Sequence, residues 1–118
     1  INNGVNPITT LTGLDTRAVS SKVGLSEIVY GMMIETVKAA QLEDISLTRA
    51  DADDMYVLIQ TFDPIKTSML VDYEHKRPIE LDEIAGVVLR ISEKHMIPAP
   101  FTHSVYHLLK TKVDNYWL

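Results

Sequence analysis

The sequence predicts an all-α fold, a single helical bundle of five or six helices with short connections. Three observations predict it: apolar residues recur at helical spacing in several separate stretches, strand-like alternation is poor throughout, and no internal repeat, low-complexity tract or Gly/Ser linker divides the chain. At 118 residues and 46% apolar content it is long enough for one core, because a domain of this size hides roughly two-thirds of the surface its unfolded chain would expose.

The elements follow in order. Ile8, Leu11 and Leu14 suggest one or two helical turns after Pro7, ended by a bend near Gly13 and followed by a polar stretch from Asp15 to Lys22. From Leu25 to Ala40, the apolar positions Leu25, Ile28, Val29, Met32, Met33 and Val37 mark a long amphipathic helix, with Glu27, Glu35 and Lys38 elsewhere on the wheel. Asp51 to Phe62 repeats the pattern with Met55, Leu58, Ile59 and Phe62, starting in acidic residues that suit a helix N-terminus and stopping at Asp63-Pro64. Leu81, Ile84, Val88 and Ile91 form a further stripe that runs out near Lys94-His95 and Pro98-Ala99-Pro100. The last helix is expected after Pro100 with Thr102 as N-cap and Val105, Tyr106, Leu108 and Leu109 on its apolar face, the Tyr116-Trp117-Leu118 tail docking on the core.

Charge and composition exclude several function classes. The net charge of −5, with no run of basic residues, argues against a nucleic-acid partner. No stretch approaches the ~20 apolar residues that cross a bilayer, so no membrane partner is expected. The absence of cysteine excludes a disulfide framework and thiolate chemistry and is compatible with a reducing compartment, the cytoplasm being the expected location. The chain opens on Ile1 rather than Met and lacks a charged start, so a preceding segment is expected.

The densest run of reactive side chains is Lys66-Thr67-Ser68-Met69-Leu70-Val71-Asp72, followed by His75-Lys76-Arg77-Pro78-Ile79-Glu80 between two predicted helices. Ser68 can donate and accept a hydrogen bond, and Glu80 lies where the Leu81 helix begins, at the end whose dipole favours a carboxylate. The plainer reading makes Ser68 a helix cap and Glu80 a first-turn acid. His103 and His107 are four apart, a spacing that suits two metal-ligating imidazoles, but no third ligand completes a site and no metal is predicted. Asp51, Asp53 and Asp54 lack the glycine and terminal glutamate of a calcium loop and read as a solvated helix start. Gly4, Gly13, Gly24, Gly31 and Gly86 are scattered singly, so no phosphate cradle is present.

Two segments carry a family resemblance. Thr67-Ser68-Met69-Leu70-Val71-Asp72 through Arg77-Pro78-Ile79-Glu80-Leu81-Asp82 resembles, without a gap, the Ser-Ser-Met-Leu-x-Asp and Arg-x-Thr-Glu-Ile-Asp segments of the ketopantoate reductase (2-dehydropantoate 2-reductase) C-terminal domain. The head of the chain, Asn2-Asn3-Gly4-Val5-Asn6-Pro7-Ile8-Thr9-Thr10-Leu11, is similar to the family's Asn-x-x-x-Asn-Pro-Leu-Thr-Ala-Leu, and Ile97-Pro98-Ala99-Pro100 to its Gly-Ile-x-x-Pro turn.

The resemblance implies that residues 1–118 are the helical substrate-binding half of a two-domain oxidoreductase, whose N-terminal Rossmann domain binds NADPH. The implied reaction is reduction of the 2-keto acid ketopantoate to pantoate, in pantothenate and coenzyme A biosynthesis. It also implies that Asn2, Asn6, Ser68 and Glu80 bind the substrate, Glu80 being the catalytic-site member. The family's general acid is a lysine four residues before the position of Asn2, which this chain does not include, so the isolated domain is expected to be inactive. Neither Lys66 nor Lys76 aligns with it. Ala85-Gly86 stands where the family typically has Asn-Gly, removing an amide from the region of the site, and Thr102 stands where it often has Asn. Reduction of a different 2-keto acid therefore stays open, as does a rival reading from another class: a non-catalytic module for homodimerisation through the Leu25 helix and the aromatic tail.

Overall fold

The polar head of the chain folds into a helix that crosses the middle of the domain. In the computed structural model, which describes residues 2–116, α1 (Asn2–Thr12) has seven of its eleven residues buried. It packs against α2 (Thr16–Ser21), α3 (Val23–Leu42), α5 (Ser68–Glu74) and α7 (Pro100–Tyr116). The remaining helices are α4 (Arg49–Ile59) and α6 (Val87–Lys94), the latter entered through a π-helical segment, Asp82–Gly86. All regular structure among the described residues is helical, as the sequence predicts. The helices number seven, more than expected, because Asp15 caps α2 by accepting from the Ala18 N–H and because the reactive segment forms α5.

α1 runs straight through Pro7, whereas the sequence suggests a helix that begins after it. The ring removes one donor and crowds the Asn3 carbonyl, while Val5 and Ile8 on either side are both buried in the main core. Helical geometry continuing through Pro7 is what puts Asn2 and Asn6, four apart, on one face.

α3 is the second central element, touching α1, α2, α4, α6 and α7. Val29, Met32, Met33 and Val37 are buried as the periodicity predicts. Glu35 departs from its place on the polar face of the wheel: it is 6% exposed. Its carboxylate accepts from the backbone N–H groups of Phe101 at 2.9 Å and Thr102 at 2.7 Å. A charge three helices away thus satisfies the orphan donors of α7 and complements its dipole. Thr102 is accordingly not the N-cap. It is the third residue of α7, fully buried, and its hydroxyl accepts from Asn3 Nδ2 at 3.2 Å.

Other ends of helices follow local rules. Thr48 and Asp51 form a capping box at α4, with Asp51, Asp53 and Asp54 exposed. In α7, Val105 and Leu109 are buried, but Leu108 is 59% exposed, and in and after α4 Leu58 and Phe62 are also exposed. These buried stripes are narrower than the apolar residues of the two helices suggest. Tyr116 stacks on Tyr73 with centroids 4.4 Å apart. Trp117 and Leu118 lie outside the described residues.

Glu35→Ala would leave two N–H groups at the buried start of α7 without an acceptor. It is expected to destabilise the fold by about 3 kcal/mol, read as a lower urea midpoint with an unchanged slope.

Candidate functional site

The reactive segment is fastened to α1 and α2 before it presents any side chain. Thr16 holds the loop between α4 and α5: its N–H donates to the Ile65 carbonyl at 2.9 Å and its hydroxyl to the Asp63 carbonyl at 2.9 Å. Thr67 then caps α5, its hydroxyl accepting from the Leu70 N–H at 3.2 Å. The cap is therefore Thr67 and not Ser68. Ser68 becomes the first residue of α5, exposed, with its hydroxyl left for other work. After α5, Arg77 Nε bonds Asp72 Oδ1 at 3.0 Å and the Arg77 N–H bonds the Asp72 carbonyl at 2.8 Å, closing the turn that leads to Glu80.

These fastenings bring all four predicted residues together. Asn2 and Asn6 from α1, Ser68 from α5 and Glu80 at the entry to the π segment line one cleft of about 300 Å³. Asn6, Ser68 and Glu80 continue into an adjoining hollow of about 150 Å³ that reaches Asp72. The same cleft is also lined by the apolar residues Val5, Ile59, Phe62, Ile65 and Ile84. Among the described residues none of the side chains of Asn2, Asn6, Ser68 and Glu80 makes a hydrogen bond within the protein. Their neighbours differ: Asn3, Thr9, Thr10, Thr16 and Thr67 all do. Polar groups converging unpartnered on a half-apolar cleft are what a small polar ligand requires.

The cations nearby are already engaged. Lys66 lies along the cleft, but its ammonium pairs with Glu74 at 2.8 Å, and Lys76 sits over the Tyr116 ring, 5.2 Å from the centroid. The cleft thus offers neutral amide and hydroxyl donors and one carboxylate.

Ala85, where an asparagine was expected to be missed, faces away from the cleft. It is fully buried in a second small core with Met69, Leu81 and Leu109. The substitution therefore fits the interior and removes no group from the cleft wall.

A larger hollow, about 520 Å³, lies elsewhere, between α6 and α7. It contains His103 and His107, whose rings pack edge to face at 4.5 Å, and Tyr106, whose hydroxyl donates to Asp82. That bond, with some burial, raises the Tyr106 phenol above its ordinary range. The groove holds none of the four predicted residues and no described cluster of metal-ligating side chains.

Comparison with known proteins agrees with this architecture. The family described as "Ketopantoate reductase PanE/ApbA C terminal" matches residues 1–113. The chain belongs to this family. The 2-dehydropantoate 2-reductase of Vibrio cholerae serotype O1 is 31% identical over 112 residues, covering 94% of this chain and 38% of the relative. The solved 2-dehydropantoate 2-reductase of Methylococcus capsulatus is 31% identical over 93% of this chain and 38% of its own, with a TM-score of 0.83. A dimeric ketopantoate reductase of Staphylococcus aureus shares the fold at TM-score 0.88 and 24% identity, over 97% of this chain and 40% of that one. A D-mandelate dehydrogenase whose ternary structure holds NADH and anilino(oxo)acetate does so at 0.87 and 22%, over 99% and 39%. This ketopantoate reductase family chain thus spans about 38% of the length of its curated relative.

Three residues that organise the cleft, Thr9, Thr16 and Thr67, have no role in the sequence reading. Thr67 had a local signal, an N-cap residue directly before Ser68. The partners of Thr9 and Thr16 are 58 and 47 residues away, and no short-range pattern announces them.

Restoring the family's asparagine tests the placement of Ala85. Ala85→Asn buries an amide beside Leu81 and Leu109 with no partner and is expected to cost about 1–3 kcal/mol, measured by chemical denaturation.

Proposed function

We propose that this chain is the substrate-binding helical domain of a two-domain, nicotinamide-dependent 2-keto acid reductase. The favoured reaction is reduction of ketopantoate to pantoate with NADPH. The observation that carries the reading is the convergence of four side chains, Asn2, Asn6, Ser68 and Glu80, unpartnered around one cleft that apolar residues also line. The match of the chain to the family over residues 1–113 supports it.

The chemistry of the cleft fits a small 2-keto acid. Amide and hydroxyl donors on Asn2, Asn6 and Ser68 can orient carboxylate and keto oxygens in fixed directions. Glu80 can only accept when ionised, so it suits a substrate hydroxyl or the proton-bearing side of a neighbouring cation. The carbon skeleton then lies against Val5, Ile65 and Ile84.

The dinucleotide does not fit the described residues. They contain no strand, and their glycines do not form a cradle for a pyrophosphate. Its binding is assigned to a Rossmann domain preceding the chain. The proton donor is assigned, on the family resemblance, to the lysine four residues before the position of Asn2, with which neither Lys66 nor Lys76 aligns.

The test is oxidation of NADPH and NADH by the full-length protein with ketopantoate and a panel of other 2-keto acids. Glu80→Ala is expected to lower kcat/KM for the preferred acid by about tenfold or more, and Ser68→Ala by about two- to tenfold. Turnover unaffected by either substitution would remove the cleft from the reaction. A better substrate than ketopantoate in the panel would revise the acid and keep the site.

A further inference from the structure

Two buried threonines connect the helix that carries Asn6 to the helix that carries Ser68. Thr9 is fully buried and Thr67 is 8% exposed, and their hydroxyl oxygens are 2.7 Å apart. A hydroxyl has one hydrogen to donate. Thr9 gives its hydrogen to the Asn6 carbonyl at 2.9 Å. Thr67 therefore donates to Thr9, and its own oxygen accepts the Leu70 N–H at 3.2 Å.

The opposite direction is unfavourable. The Asn6 carbonyl would keep a partner, because the Thr10 hydroxyl also donates to it at 2.8 Å. The Thr67 hydrogen, however, would have no acceptor among the described residues and would depend on water in the cleft that Thr67 lines. The run from Leu70 N–H through Thr67 and Thr9 to the Asn6 carbonyl thus has one sense, with every donor used once. It starts in the first turn of α5, beside Ser68, and ends on the backbone of Asn6.

We infer that the Thr67–Thr9 pair sets the spacing between Ser68 and Asn6, which makes both threonines positioning residues for substrate binding. This rests on the reading of the cleft as a 2-keto acid site. Ser68 and Asn6 are 62 positions apart in sequence, on two different helices, and donors that share one small anion must keep their separation to within about 0.5 Å. A directional bond between the two helices supplies that constraint where apolar packing would allow sliding. Thr67 lines the cleft, yet its hydroxyl hydrogen is committed to Thr9, so it acts through Ser68 and Asn6.

Thr9→Val in the full-length enzyme removes the link while leaving the Thr67 cap of α5 intact. The KM for the 2-keto acid is expected to rise about three- to tenfold, with the KM for the nicotinamide cofactor unchanged. Thr9→Ser is expected to restore the wild-type KM. In a Ser68→Ala background Thr9→Val is expected to have little further effect, because the group it positions is gone. Equal rises in both KM values, or full additivity with Ser68→Ala, would overturn the inference. Crystal structures of wild type and Thr9→Val give a readout independent of turnover: a changed separation between Asn6 and Ser68 supports the inference, and an unchanged one contradicts it. If the wild-type protein reduces no 2-keto acid, the proposed function fails, and the separation measured in these crystals still decides the role of the two threonines.

Discussion

A helix rich in asparagine and threonine can cross the centre of a domain only if its polar groups find partners there. α1 meets that constraint almost completely. Asn3 Nδ2 donates to Thr36 and Thr102, Thr9 and Thr10 return their hydroxyls to the Asn6 carbonyl, and Thr9 also meets Thr67. Among these buried side chains only Asn3 Oδ1 lacks a partner. Because an unmade buried hydrogen bond costs about 1–3 kcal/mol, the partners on α3, α5 and α7 have little freedom to shift. The polar centre specifies their positions more sharply than apolar contact would.

Charge does similar work at the helix ends. Glu35 of α3 receives the first N–H groups of α7, and Lys112 of α7 donates to the carbonyls of Thr10 and Leu11 at the end of α1, at 3.1 and 2.8 Å. Each charge has the sign that its helix terminus favours. Gly31 belongs to the same junction: a Cβ there would meet the Phe101 ring at 2.5 Å, so glycine lets that ring lie against α3 where it does. α1, α3 and α7 are therefore locked as a unit, and the cleft is built on one side of it. Asn2, Asn6, Ser68 and Glu80, by contrast, make no hydrogen bond within the protein among the described residues and face the cleft.

Much of the fold was legible because it rests on short-range pattern. The stripe from Leu25 to Val37 is buried as its spacing predicts, and the Thr48–Asp51 region starts a helix in solvent. The continuous segment from Thr67 to Asp82, with the asparagines of the head, was enough to collect the residues of the cleft. What escaped depends on distant partners. Glu35 reads as one more polar residue on a wheel until α7 is placed beside it, and Thr102 reads as a cap until Asn3 and Glu35 claim its hydroxyl and its N–H. Pro7 reads as a helix start because the loss of one donor is visible in sequence, whereas the burial of Val5 and Ile8 that outweighs it is not. The π segment at Asp82–Gly86 has no sequence signal of its own, since the apolar spacing across it stays within helical limits.

In the proposed function Asn2, Asn6, Ser68 and Glu80 hold one small acid between them. The most direct measurement is a crystal structure of the full-length protein with oxidised cofactor and ketopantoate. The acid is expected in the cleft beside α1 and α5, with its oxygens within hydrogen-bond distance of Ser68 Oγ and at least one of the two asparagine amides, and with Glu80 accepting from its hydroxyl. Ketopantoate seated in the groove between α6 and α7, or all four side chains still facing water in the complex, would contradict it.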